Sequence, residues 1–235
     1  GPAGSGFGDG ISAAGDLDGD GFGDLLVGVP RERRVYIWRG SRSTLSTSPQ
    51  TSIDGGTAFG SSLMGIGDFN GDGMPDAVLG SPQSLVLHLG SGAGLNSTGI
   101  ALSEAASHAR TAFGDFNGDQ RADFASLRSD GRALTVYLGT SSLGGSLSPT
   151  PSSPLGTEFG ILRGAGDLDG DGRSELVASG SGQYQVFFAG SASDSVSRAR
   201  TGAFAAAGVD AEADGYFDLF GLASNQSTMA VYRAR

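Results

Sequence analysis

The stretch Asp16-Leu17-Asp18-Gly19-Asp20-Gly21-Phe22-Gly23-Asp24 decides the reading of this chain, because it returns four more times. The copies begin at residues 16, 68, 115, 167 and 210. A period of about fifty residues marks a solenoid, a propeller or an array of one unit. Oxygen-bearing side chains stand at positions 1, 3, 5 and 9 of every copy. Hard oxygen donors on a tight glycine turn are what Ca²⁺ requires.

The first copy offers Asp16, Asp18, Asp20 and Asp24, with the backbone carbonyl of Phe22 at position 7. Gly21 at position 6 allows the positive φ that folds a chain around an ion. The second offers Asp68, Asn70, Asp72, Met74 and Asp76 in the same places. The third offers Asp115, Asn117, Asp119, Arg121 and Asp123, with Gln120 replacing the position 6 glycine. The fourth offers Asp167, Asp169, Asp171, Arg173 and Glu175. The fifth offers Asp210, Glu212, Asp214, Tyr216 and Asp218, with Ala213 at position 4. The pattern closes at position 9, lacks a Glu at position 12 and has no flanking helices, which argues against an EF-hand. Three or four carboxylates in one short loop repel strongly without a cation. Up to five Ca²⁺ ions, one per repeat, are therefore expected.

Between the acidic loops lie short apolar runs. Leu25-Leu26-Val27, Ala77-Val78-Leu79, Phe124-Ala125, Leu176-Val177 and Leu219-Phe220 follow the loops directly. A second set includes Val35 to Trp38, Leu85 to Leu87, Thr135 to Leu138, Val186 to Phe188 and Met229 to Tyr232. Most of these end at a glycine: Gly40, Gly90, Gly139 and Gly190. Runs this short and this rich in Val, Phe and Tyr are strands. Their continuous apolarity implies burial on both faces, as in sheets stacked on sheets. A fainter fourth strand is expected around Thr51 to Ile53, around Ile100 to Leu102 and around Val196. The Ser/Pro stretch from Ser146 to Pro154 is expected to be a surface loop.

Composition agrees with many short strands joined by turns. Of 235 residues 42 are glycine, 38% are apolar and 17% are charged. There is no cysteine, which excludes disulfides and thiolate chemistry. The net charge of −10 is concentrated: eighteen of the twenty-five acids lie in the five nonapeptides. An acidic chain without a basic, aromatic stripe disfavours nucleic acid. No run of eighteen apolar residues exists, so no membrane span is expected. The chain opens at Gly1 without a signal-like apolar segment, so any secretion signal would lie outside these residues.

The frame Phe-Gly, then Gly-Asp-x-Asp-Gly-Asp-Gly-x-x-Asp-Leu, then Gly-x-Pro resembles the FG-GAP repeat of integrin α-subunit β-propellers and their bacterial relatives. It is carried by Phe7-Gly8, Phe59-Gly60 and Phe159-Gly160, by the loops, and by Gly28-Val29-Pro30 and Gly80-Ser81-Pro82. The third repeat has Ala106-Ser107 where Phe-Gly would stand. The resemblance implies an all-β, single domain over residues 1–235 made of four-stranded antiparallel blades. The repeats would cover about 7–54, 55–103, 104–155, 156–200 and 201–235, the last lacking its outer strand. The family's propellers have seven blades. Five repeats imply either a small closed ring, which we favour because an open stack exposes apolar blade faces, or an excerpt of a longer ring. The calcium loop would join strands 1 and 2 of each blade, with partners bound on the opposite face.

For function, the resemblance implies a non-enzymatic, calcium-stabilised binding or adhesion module, extracellular or on a cell surface, that recognises a protein or a glycan. Arg31, Arg33 and Arg34 would lie on the face away from the ions. Alternatives are a sugar-binding propeller lectin and an accessory domain of a larger extracellular hydrolase. The lectin would want an aromatic in matching register in each blade, and none is found. His88 and His108 are expected to be packing or surface residues, and no Gly-x-Ser-x-Gly elbow occurs. Trp38 is expected in the core between blades.

Overall fold

The computed structural model describes residues 4–42, 46–102, 110–128, 130–144, 146–147, 153–155, 158–180, 183–187, 200–201, 205–209, 218–222 and 229–232. These form short strands and turns, grouped in two compact units. One comprises Gly1–His108 with Gly139–Pro149, the other Ala109–Leu138 with Thr150–Arg235.

In the first unit, β1 (Gly10–Gly15), β2 (Asp24–Val29), β3 (Arg34–Trp38) and β4 (Thr51–Asp54) form one antiparallel meander. β5 (Ser62–Gly67), β6 (Asp76–Ser81), β7 (Ser84–His88) and β8 (Ile100–Leu102) form a second. The second unit repeats the plan. Its strands are β9 (Thr111–Gly114), β10 (Asp123–Leu127) and β11 (Ala133–Tyr137), with β13 (Ser153–Pro154) as fourth member. β12 (Ser146–Leu147) belongs to the first unit, where it pairs parallel with β8. Then come β14 (Ile161–Gly166), β15 (Glu175–Gly180), β16 (Gln183–Phe187) and β17 (Arg200–Thr201). A three-stranded sheet of β18 (Ala205–Val209), β19 (Asp218–Leu222) and β20 (Met229–Tyr232) ends the chain.

The second strand of each sheet is central and carries the continuous apolar run. β6 and β10 are buried at every residue, and β2 and β15 at all but one. That is the burial expected of a strand covered on both faces. In the first unit β1 lies against β5. The core between the two sheets includes Leu26, Ile37, Phe59, Leu63 and Leu79. In the second unit β9 and β18 both lie against β14. Leu127, Phe159, Leu162 and Leu176 fill the space between the third and fourth sheets. Phe59 and Phe159 of the Phe-Gly pairs thus sit between successive sheets. Phe7 is 44% exposed and packs edge-on against Trp38.

Two expectations are corrected. Ser146 to Pro154 is not simply a loop: it supplies β12 and β13. β13 is the outer strand of its sheet, where Pro154 can pair with Ala133 although proline lacks an N–H. Trp38 does not join the core between the first two sheets. Side chains alternate along β3, so Val35 and Ile37 point into that core while Trp38 shares the other face with Tyr36. The fourth strand expected around Val196 falls outside the described residues, which do show β17 at Arg200–Thr201. His108 and the Ala106-Ser107 position also lie outside them.

Candidate cation-binding loops

Each acidic nonapeptide joins the first strand of a sheet to the second. Just before four of the loops the register slips by one residue, between Ala13 and Gly15, Gly65 and Gly67, Gly164 and Gly166, and Ala206 and Val209. In the first three the extra residue is Ala14, Ile66 or Ala165, and each is buried. The bulge thereby anchors the loop to the core as well as bending its strand.

Within the loops the backbone wraps around the position 1 carboxylate. Asp16 accepts hydrogen bonds from the amides of Asp20 at 2.9 Å and Gly21 at 2.8 Å. Asp68 accepts from Asp72 and Gly73, Asp115 from Asp119 and Gln120, and Asp167 from Asp171 and Gly172, all between 2.7 and 3.1 Å. The side chains of Asp18, Asn70, Asn117 and Asp169 at position 3 accept from the position 5 amide. Those of Asp20, Asp72, Asp119 and Asp171 at position 5 accept from the amides of Phe22, Met74, Arg121 and Arg173, each at 2.9 Å. Four separate loops therefore share one hydrogen-bond web.

That web needs a left-handed residue at position 6. Gly21, Gly73 and Gly172 have φ of 89°, 89° and 87°. Gln120 takes the same turn at φ 67°, so the third loop keeps its shape against a side chain that disfavours it.

Position 9 differs from the rest. Asp24, Asp76, Asp123 and Glu175 are at most 3% exposed. Each accepts the amide of position 2: Leu17 at 3.0 Å, Phe69 at 2.8 Å, Phe116 at 2.7 Å and Leu168 at 2.5 Å. Those four side chains are themselves buried. Asp24 and Asp76 also accept the amides of Gly40 and Gly90, just past the third strand. A Cβ at Gly40 or Gly90 would lie 2.4 or 2.1 Å from the position 8 carbonyl of Gly23 or Pro75, so only glycine fits this approach. Burial pushes the Asp76 carboxyl up to about 6, against the pull of its three amide donors. Burial raises Asp24 likewise.

The donor set is entirely oxygen, which suits a hard cation and not a thiolate- or imidazole-seeking one. In the first loop carboxylate oxygens of Asp16, Asp18 and Asp24 lie within 4.8 Å of one another, and in the fourth those of Asp167, Asp169 and Glu175 do so. In the second and third loops Asn70 and Asn117 lend an amide oxygen in place of a carboxylate, and their NH₂ groups donate to Asp72 and Asp119. Arg39 forms an ion pair with Asp18 at 3.1 Å, and Arg121 one with Asp119 at 3.5 Å. Of the fifth loop only Asp218, at the start of β19, is among the described residues; Asp210, Glu212, Asp214 and Tyr216 lie outside them.

The motif alone did not single out the position 2 anchors, although Leu or Phe recurs there in four copies. Nor did it single out Arg39, whose place is taken by Leu89, Leu138 and Phe188 in the next three repeats. Away from the loops, Arg34 pairs with Asp54 through both its Nε and a terminal nitrogen, and holds that carboxyl below its usual range. The Tyr36 hydroxyl donates to Glu32 at 2.8 Å. His88 is buried at 3% exposure and donates from Nδ1 to the Asn96 carbonyl at 2.8 Å, a packing role.

Comparison with known proteins follows the same repeats. A family model described as FG-GAP-like repeat matches residues 16–79, 68–126 and 115–178. The chain is 37% identical over 90 residues to integrin alpha pat-2 of Caenorhabditis elegans, covering 33% of this chain and 7% of that protein. It is 38% identical over 96 residues to integrin alpha-2 of Mus musculus, covering 34% and 8%. The matched region is thus less than a tenth of those relatives' length. Among solved structures, BBS1N in complex with ARL6DN aligns over 96% of this chain and 64% of its own, with TM-score 0.60 and 12% identity, a likeness of fold alone. No helix among the described residues is long and apolar enough to cross a membrane.

Proposed function

Because the chain belongs to the FG-GAP-like repeat family, we propose that it is a calcium-stabilised, non-enzymatic binding module of integrin-like type, acting outside the cell or at its surface. The observation that carries this reading is the single web repeated in four loops, in which backbone N–H groups donate to side-chain oxygens and so gather an all-oxygen ligand set in one turn. The ligands are the side chains at positions 1, 3, 5 and 9 with the position 7 carbonyl. They run from Asp16 to Asp24, Asp68 to Asp76, Asp115 to Asp123 and Asp167 to Glu175, and by the same motif from Asp210 to Asp218. Bound Ca²⁺ would supply the positive charge that lets several carboxylates share one turn. Sites of this extracellular type stay filled at millimolar Ca²⁺.

In this reading residues 1–235 form one propeller, closed or part of a longer ring, with five blades of which the last has three strands. The ions pin one end of each sheet. The β2–β3 turn, carrying Arg31 and Arg33, lies at the other end of β2 and is free to vary for a protein or glycan partner. The test is thermal unfolding of chelated protein titrated with Ca²⁺. Binding to the folded form must stabilise it, by about 2.7 kcal/mol for a site at a hundredfold excess over its Kd. An unchanged melting temperature at millimolar Ca²⁺ overturns the proposal.

A further inference from the structure

We propose that Arg39 couples the first and second loops, so that a cation held in one raises the affinity of the other; this rests on the cation-binding reading above. Arg39 lies just past β3. One terminal nitrogen pairs with Asp18 Oδ2 at 3.1 Å, and Asp18 is a position 3 ligand of the first loop. The other donates to the Ala93 carbonyl at 2.7 Å. Ala93 sits in a tight turn closed by Gly94 N–H to the Ser91 carbonyl and by the Ser91 hydroxyl to the Gly94 carbonyl, both at 2.7 Å. The amide of Gly90, immediately before that turn, donates to Asp76 Oδ1 at 2.7 Å. Asp76 is the buried position 9 ligand of the second loop. A path therefore runs from one loop to the next through the Arg39 ion pair and hydrogen bond, the backbone of residues 90–93 and the Gly90 amide.

Charge gives the path its purpose. The first loop has four carboxylates and the second has three, with Asn70 at position 3. Arg39 offsets the additional charge of Asp18 and fixes its direction with a planar fork. A cation held by the first loop immobilises Asp18, and with it Arg39, the turn and the Gly90 amide. The second loop then has less freedom left to lose when it fills. Coupling of this kind is reciprocal. In the second, third and fourth repeats Leu89, Leu138 and Phe188 stand at the place of Arg39, so the arginine path is confined to the first pair of loops among the described residues; in sequence the fifth repeat has Arg233 there. A shorter contact also links the two loops, since Gly19 packs against the Met74 side chain. The experiment must separate it from the arginine path.

The backbone amides of Gly21, Gly73 and Gly172 report the first, second and fourth loops in an NMR titration of the whole chain with Ca²⁺. Asp16→Ala empties the first loop. In the wild-type background it should move the Gly73 midpoint to about fivefold higher Ca²⁺. In an Arg39→Met background the same change should move it no further, while the Gly172 midpoint stays put throughout and shows that the fold holds. Arg39→Lys keeps the charge without the fork and should lose most of the coupling. The proposal is overturned if Asp16→Ala leaves the Gly73 midpoint unmoved or lowers it, as bare repulsion between ions would. It is equally overturned if Arg39→Met or Arg39→Lys retains the full shift, which would assign the coupling to Gly19 and Met74. If none of the three amides responds to Ca²⁺ in the wild type, the cation-binding reading itself has failed.

Discussion

At position 6 of the loops a single torsion angle decides which residues are tolerated. Nothing lies within 4 Å of where a Cβ would stand at Gly73, yet its φ is +89°. Gly73→Ala should therefore cost about 1 kcal/mol from backbone strain alone, read from the midpoint of denaturant unfolding. Gln120→Gly at the equivalent place should cost nothing. The contrast was legible in the sequence, because the turn is local and its residues are adjacent.

His88 makes a second prediction at this scale. Burial lowers its pKa below the ordinary 6.5, because the charged ring would lose its water. The unfolded chain then takes up the proton first as pH falls. The contribution of His88 is complete above about pH 6.5 and shrinks as pH drops below it. The stability of wild type minus that of His88→Phe, measured at one fixed Ca²⁺ concentration, should decline from pH 7 to pH 5. A flat difference would refute this. The sequence suggested that His88 packs, but not its partner: Asn96 lies eight residues on, across a loop with no pattern to read.

The loops and the sheets are fastened together by the position 9 acids. Motif spacing placed Asp76 among equivalent ligands, whereas the structure also makes it the acceptor of the Phe69, Asn70 and Gly90 amides. Asp76→Ala should destabilise even the chelated protein, by about 1–3 kcal/mol for each buried amide left without an acceptor. Asp72→Ala, at an exposed position 5, should be far milder in chelator and comparable in its loss of Ca²⁺ response. Equal effects of the two in chelator would contradict the double role. The central strands were readable because continuous apolarity has one physical cause, burial on both faces. β13 was not, since two residues with a proline carry no periodicity and are held as a strand only by the edge of β11. Trp38 was misplaced for a related reason. Alternation along β3 sends it away from Val35 and Ile37, and its apolar neighbours in sequence conceal that.

Across the molecule, the repeat period announced successive sheets of one kind and the resemblance implied four antiparallel strands in each, a plan that three of the described sheets follow as such while β12 adds a fifth strand to the second. Their grouping into two compact units depends on contacts distant in sequence. Metal binding is the claim on which the functional reading stands, because adhesion, location and partner all presuppose loops that hold ions. Bound calcium per chain, measured by equilibrium dialysis at millimolar Ca²⁺ followed by elemental analysis, tests it most directly. The account predicts at least four ions per chain, one for each loop whose web is described, and one fewer after Asp167→Ala. Fewer than one ion per chain, or a stoichiometry indifferent to Asp167→Ala, would contradict it.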